Sequence, residues 1–178
     1  GATVTISGNN TNALVQLINS NVLNGGPVIF QGLKLANGYS NTPGLAGGVT
    51  VMFAQATFID CSFESNKSTV NGAGGGTLVT KSSEAFFINS TWKNNSAVVN
   101  GGGMIVAEHS KVYIHNAQFI NNRVNLPGHS QVSAGGGIHI GNSFVRISNT
   151  RFDSNQAGYA GGAIYLIGTW GDSVPADL

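Results

Sequence analysis

Gly101-Gly102-Gly103-Met104-Ile105-Val106, followed by Phe119-Ile120-Asn121-Asn122, is the stretch on which the reading of this chain turns. A glycine step leads into a short apolar run. A second apolar run then ends in an aromatic residue, with an asparagine three positions on. The unit recurs along the chain. Glycine steps stand at Gly47-Gly48, Gly74-Gly75-Gly76, Gly101-Gly102-Gly103, Gly135-Gly136-Gly137 and Gly161-Gly162-Ala163. The second runs are Ala56 to Phe63, Ala85 to Trp92, Val112 to Phe119 and Val145 to Phe152. Self-similarity at such a period is the mark of a solenoid or array.

Superimposed on the aromatic, the units hold one register. Phe58, Phe87, Ile114 and Ile147 lie five residues before it, and Asn66, Asn95, Asn122 and Asn155 three after it. Asp60, Asn89, Asn116 and Asn149 lie three before it and read as an inward column. From glycine step to aromatic the chain takes 16 to 18 residues; from aromatic to the next step it takes 9 to 16. Segments of fixed length are strands locked to the coils above and below. The variable segment is one corner where loops of different length are tolerated. The pattern predicts an all-β, right-handed parallel β-helix of about six coils, with three short strands per coil and a rise of about 4.8 Å. Asn66, Asn95, Asn122 and Asn155 should form a buried amide ladder.

Residues 1–178 read as a single domain, with leader coils in 1–27, regular repeats in 28–168 and an exit tail in 169–178. In the leader, Ala2 to Asn9 alternates with a period of two, as a strand does. Ala13 to Ile18 suits a short helix or a strand, and its turn-rich flanks favour the strand. The start at Gly1 and the stop at Leu178 read as cuts in something longer, or as a processed product.

Composition narrows the function. Charged residues make up 8% of the chain and the net charge is +1. A nucleic-acid binder needs a basic stripe, so nucleic acid is not expected as a partner. No apolar run approaches the ~18 residues of a membrane span, so no direct membrane insertion is expected in this segment. The single cysteine, Cys61, rules out an internal disulfide and falls in a column of small residues with Ser90, Ala117 and Thr150. It reads as an inert packed thiol.

Phe63/Asn66, Phe119/Asn122 and Phe152/Asn155, alternating with Gly161-Gly162-Ala163-Ile164, resemble the FxxN and GGAI repeats of polymorphic outer membrane proteins. Thr5-Ile6-Ser7-Gly8-Asn9 and Gly32 to Gly38 are similar to the leader coils of such chains. GGAI occurs intact once, and Trp92 replaces Phe in one unit. The resemblance covers most of the chain and implies a β-helical stalk at the cell surface. It implies little about chemistry.

A catalytic site is not expected. The seven acids are Asp60, Glu64, Glu84, Glu108, Asp153, Asp172 and Asp177. Glu64 and Asp153 share an outward column but lie three coils apart, more than ~10 Å and too far to act on one glycosidic bond. His109, His115, His129 and His139 show no metal-ligand spacing. The glycine steps open strands and lack the following Lys-Ser/Thr of a phosphate loop. No metal or cofactor is expected.

The outward columns are more apolar than a solvent face needs to be. Phe86 and Tyr113 should stack with Thr57 and Arg146, beside Ile59, Ile88, His115 and Ser148. Val51, Leu78, Ile105, His139 and Tyr165 should point outward if Met52, Val79, Val106, Ile140 and Leu166 point in. A one-residue slip would exchange those faces. Exposed apolar columns mark a contacting surface. The corner loops are 39–46, 67–73, 96–100, 123–134 and 156–160; the longest contributes Leu126 and His129 as candidate contacts. Four Asn-x-Ser/Thr sites occur, with Asn9, Asn89 and Asn94 open to glycosylation and Asn66 expected to be buried.

The reading is a non-catalytic extracellular or cell-surface module of stalk or adhesin type. Its partner would be another protein, a cell-surface ligand or copies of itself. A self-assembling filament subunit and a polysaccharide lyase or hydrolase are the alternatives.

Overall fold

The computed structural model describes residues 4–18, 27–71, 73–124 and 133–168. Among them every regular element is a strand, and every strand pairing is parallel. The chain is a parallel β-solenoid of about five turns, one fewer than the repeat count suggests. One full coil shows the path. A glycine-led strand, Val49–Met52, is followed by a middle strand, Gln55–Ile59, and an aromatic-led strand, Ser62–Glu64. A two-residue corner strand, Lys67–Ser68, completes it, and among the described residues four coils carry such a fourth strand beyond the three expected. Like stacks on like, giving sheets of six, five, six and four strands in that order.

The leader belongs to the same stack. Val4–Ser7 pairs with Leu33–Ala36, and Val15–Ile18 pairs with Val49–Met52, so Ala13 to Ile18 supplies a strand and no helix. The exit tail 169–178 lies outside the described residues.

Inside, identical columns stack at about one coil rise. Phe63, Trp92, Phe119 and Phe152 form a run of parallel rings with centroids 4.9, 4.3 and 5.0 Å apart. Phe30, Phe58 and Phe87 form a second at 4.9 Å per step. The two runs meet edge to face, Phe58 on Phe63 and Phe87 on Trp92, the geometry aromatic pairs prefer. Trp92 is accommodated by a change elsewhere in its coil. Its Nε1–H donates to the buried Thr77 Oγ1 (3.2 Å), where neighbouring coils have Val49, Met104 and Ile138.

The inner amide ladder forms as expected. Asn66, Asn95 and Asn122 are fully buried. Each Nδ2 donates to the Oδ1 of the asparagine one coil on, at 3.1, 2.9 and 2.9 Å, and also to a backbone carbonyl of the coil before. Both amide hydrogens are therefore used. Gly38 occupies the rung below Asn66 and donates its N–H to Asn66 Oδ1.

The other asparagine column is not inward. Asp60, Asn89, Asn116 and Asn149 are exposed, with φ of 52, 51, 53 and 47°. Each stands at a left-handed corner dividing the middle strand from the aromatic-led one. That corner breaks the alternation, so residues on either side of it can both point in. Asn and Asp tolerate this conformation better than other side chains with a Cβ.

The three glycines of the opening stretch each answer a separate constraint. Gly101 has φ +58° and lies on the outward residue of its own strand, where a Cβ would sit 2.4 Å from Ile105 Cγ1. At Gly102 a Cβ would meet the Arg123 backbone at 2.6 Å, and at Gly103 it would meet Gly137 O at 2.6 Å.

Candidate functional site

The middle sheet has an apolar outer face. Thr57, Phe86, Tyr113 and Arg146 are in register across four coils, beside Ile59, Ile88, His115 and Ser148. Phe86 and Tyr113 stack at 4.8 Å and 7°, and Tyr113 meets Phe144 at 5.8 Å. Phe86, Ile88 and Tyr113 are half-buried, while His115 and Arg146 are exposed. His115 Nδ1 and Ser148 Oγ are 2.8 Å apart. The structure thus brings Phe86, Ile88, Tyr113, His115 and Arg146 onto one surface. Because Phe86 and Tyr113 stack along the solenoid axis, their faces cover one another and their edges point outward. This suits packing against another apolar surface better than stacking on the flat side of a sugar ring.

The second expected column is corrected. Pairing sets Thr50 beside Leu78 and Val51 beside Val79, so Val51 points in and Thr50 takes the outward position. The cause is the first glycine step, where Ala46 stands in the slot that Gly74 fills one coil later. Nor is this column a solvent face along its whole length. Thr50, Leu78 and Ile105 are buried, Ile105 at 4% exposure; Leu78 and Ile105 form a satellite cluster with Ala46, whose N–H donates to Thr50 Oγ1 (2.8 Å). The corner folds back over them, so Ile105 is not part of a contact surface. His139 and Tyr165 continue the column and are half-buried, with ring centroids 5.4 Å apart. Beside them is a recess of about 240 Å³ lined by Val99, Asn100, Ala134, Tyr159 and Ile167. Leu126 and His129 lie outside the described residues.

The corner asparagines form an outer ladder that the repeat pattern did not reveal. Asn149 Nδ2 donates to Asn116 Oδ1 (2.9 Å), Asn116 to Asn89 (2.8 Å), and Asn89 to the carboxylate of Asp60 (3.0 Å). An open groove of about 530 Å³ runs beside its upper end, lined by Asn116, Gln118, Asn149, Thr150 and Arg151. The recurrence of Asn or Asp at one position, residue types that favour left-handed turns, was the signal available, and a turn reading of that column would have found it.

The described acids are engaged in local contacts. Glu64 pairs with Lys34 and Asp153 with Arg151. Glu108 accepts from Thr80 Oγ1 (2.7 Å) and Lys81 Nζ (3.0 Å), and these bonds hold its carboxyl below the usual range. Glu84 accepts from Gln55, and Asp60 ends the outer ladder. Glu64 and Asp153 share one column with Lys93 and Ile120 between them, about 14 Å apart at the usual strand spacing. Asp172 and Asp177 lie outside the described residues. Among the described residues no cluster of three His, Cys, Asp or Glu side chains could hold a metal ion. Burial pushes the Cys61 thiol up, and its Sγ lies 3.3 Å from Ile59 O, the surroundings of a packed thiol and not of a nucleophile.

The glycosylation motifs separate by geometry. Asn66 is buried with both amide hydrogens committed. Asn89 is exposed but bonded on both sides within the outer ladder. Asn94 is exposed and accepts from Asn121 through Oδ1 (2.7 Å), and Asn9 is exposed at the amino-terminal turn. No helix is long and apolar enough to cross a membrane among the described residues. No protein-family model, curated protein or solved structure matches the chain.

Proposed function

We propose that this chain is a non-catalytic, extracellular or cell-surface β-helical module of stalk or adhesin type, which binds a protein partner through the outer face of its middle sheet. The observation that carries the reading is the Phe86–Tyr113 stack, flanked by Ile59 and Ile88 and presented edge-outward on a parallel sheet. Acids paired with lysine, arginine or amide partners and spread over several coils favour binding over catalysis. The test is adsorption of labelled protein to intact cells and to arrays of surface proteins and glycans. Phe86→Ser/Tyr113→Ser should lose protein binding at least tenfold while keeping the solenoid's circular dichroism. Turnover of a uronate polysaccharide to unsaturated product would overturn the reading in favour of a lyase.

A second reading, end-to-end assembly, has its own observation. Among the described residues the glycine-led, middle and aromatic-led sheets each end in a strand paired on one side only, and the inward-column residue Leu166 is 68% exposed on the last described strand. Unpaired strand edges are templates for further strands. Assembly predicts concentration-dependent light scattering that Leu166→Lys abolishes; a monomer at all concentrations contradicts it.

A further inference from the structure

His139 stands where lower coils place Leu78 and Ile105, on the outside of the glycine-led sheet beneath the folded-back corner. Gly135 (φ +69°) lies so close over it that a Cβ would be 2.8 Å from the His139 backbone nitrogen. Its Nδ1 is buried and has no hydrogen-bond partner among the described residues. Nε2 lies toward Gly141, 3.8 Å from where a Cβ there would be.

A neutral imidazole carries one N–H and one lone pair. An unbonded buried lone pair costs less than an unbonded buried N–H, which assigns the proton to Nε2 and the lone pair to Nδ1. Adding a proton to Nδ1 would create a charged donor at a buried atom with no acceptor in reach among the described residues. No described group facing the ring lies within hydrogen-bond distance of Nδ1. Ile105 lies below and Tyr165 above, with Gly135 and Ala134 at the corner and Val99, Asn100, Tyr159 and Ile167 around the recess. The titratable groups among these are the two tyrosine phenols, and no carboxylate, lysine or arginine among the described residues lines the recess. Burial alone lowers the His139 pKa, which agrees with this arrangement. The recess of about 240 Å³ gives the ring somewhere to go.

We propose that His139 is a proton-operated latch on the outer corner of its coil. Neutral, the ring stays beneath Gly135 against Tyr165 and holds the corner closed. Protonated, it leaves that position through the recess toward water, and the corner at Ala134 and Tyr159 opens. The inner asparagine ladder, on another corner, stays intact.

The sign follows from linkage. The closed corner binds the proton more weakly than the open one. Closure is therefore fully stable above the ordinary histidine value of 6.5 and weakens as pH falls toward the depressed closed-state value. The test is NMR on the full chain, titrating the His139 ring while measuring amide exchange protection. Between the two pKa values, protection at Ala134, Tyr159 and Tyr165 should fall by up to tenfold per pH unit, while that at Asn95 and Asn122 holds. His139→Leu, which places at this position the residue that Leu78 supplies two coils below, should abolish the pH dependence and leave the fold intact. A His139 that titrates like a free histidine overturns the proposal, as does an equal loss of corner protection in His139→Leu. If His139→Leu does not fold, the wild-type titration decides alone.

Discussion

Two asparagine ladders climb the same solenoid on different corners, and the same side chain does different work in each. In the inner ladder Asn95 and Asn122 are fully buried. Each bonds the next asparagine, the carbonyl of the coil before and the backbone N–H of a neighbour. In the outer ladder Asn89 and Asn116 are exposed and make one bond upward and one downward. Burial sets the difference. A lost bond in the dry corner leaves several polar groups unpaired, whereas one lost at the surface is replaced by water. The inner ladder holds the coils together. The outer one chiefly supplies residues that tolerate a left-handed corner.

The largest contrast should come from charge. Asn122→Asp removes two donors and puts a carboxylate in the core, costing about 3–5 kcal/mol in denaturant unfolding at neutral pH. Asn116→Asp should cost about 1 kcal/mol or less. Removing the side chain narrows the gap. Asn122→Ala should cost about 3 kcal/mol, and Asn116→Ala about 1, the latter mainly from the lost left-handed preference. Equal costs at the two sites would erase the distinction between the ladders.

A smaller effect tests whether polar pairing in the core follows the same rule. Trp92→Phe leaves the Thr77 hydroxyl without its indole partner, costing about 1–3 kcal/mol together with the lost ring volume. Thr77→Val in that background should restore part of the loss, with a coupling of about 1 kcal/mol in a double-mutant cycle. Additive costs would show that the pair is incidental.

The smallest effect is at the surface and depends on pH. Thr80 and Lys81 hold Glu108 below its ordinary range, so its contribution is present above the ordinary glutamate value and lost as pH falls through the depressed one. Thr80→Val should lower stability slightly at neutral pH, flatten its fall across that acidic window and leave stability below the window unchanged. A Thr80→Val protein with an unaltered acid profile would remove Glu108 from the account.

Much of this was legible in the sequence because a solenoid repeats its constraints. The glycine steps, the Phe58/Phe87 column and the inner asparagines recur at fixed spacing, and each recurrence is another vote for the same backbone. What was not legible depended on phase. Asp60, Asn89, Asn116 and Asn149 looked inward because an unbroken strand would have placed them there, and their left-handed φ shifts the alternation. Ile105 looked exposed because the pattern shows which face a residue takes but not what folds back over it. Val51 was misplaced because Ala46 hides the first glycine of its step. The contact face at Phe86 and Tyr113 was readable as a column, while the outward direction of the ring edges came only with the stacking geometry.

The distinction between the ladders can be measured without mutation, by following exchange of the side-chain amide hydrogens with NMR. The Nδ2 hydrogens of Asn95 and Asn122 should be protected to nearly the extent of the slowest backbone amides, and those of Asn89 and Asn116 should exchange at least about a hundredfold faster. Comparable protection in the two sets would contradict the account.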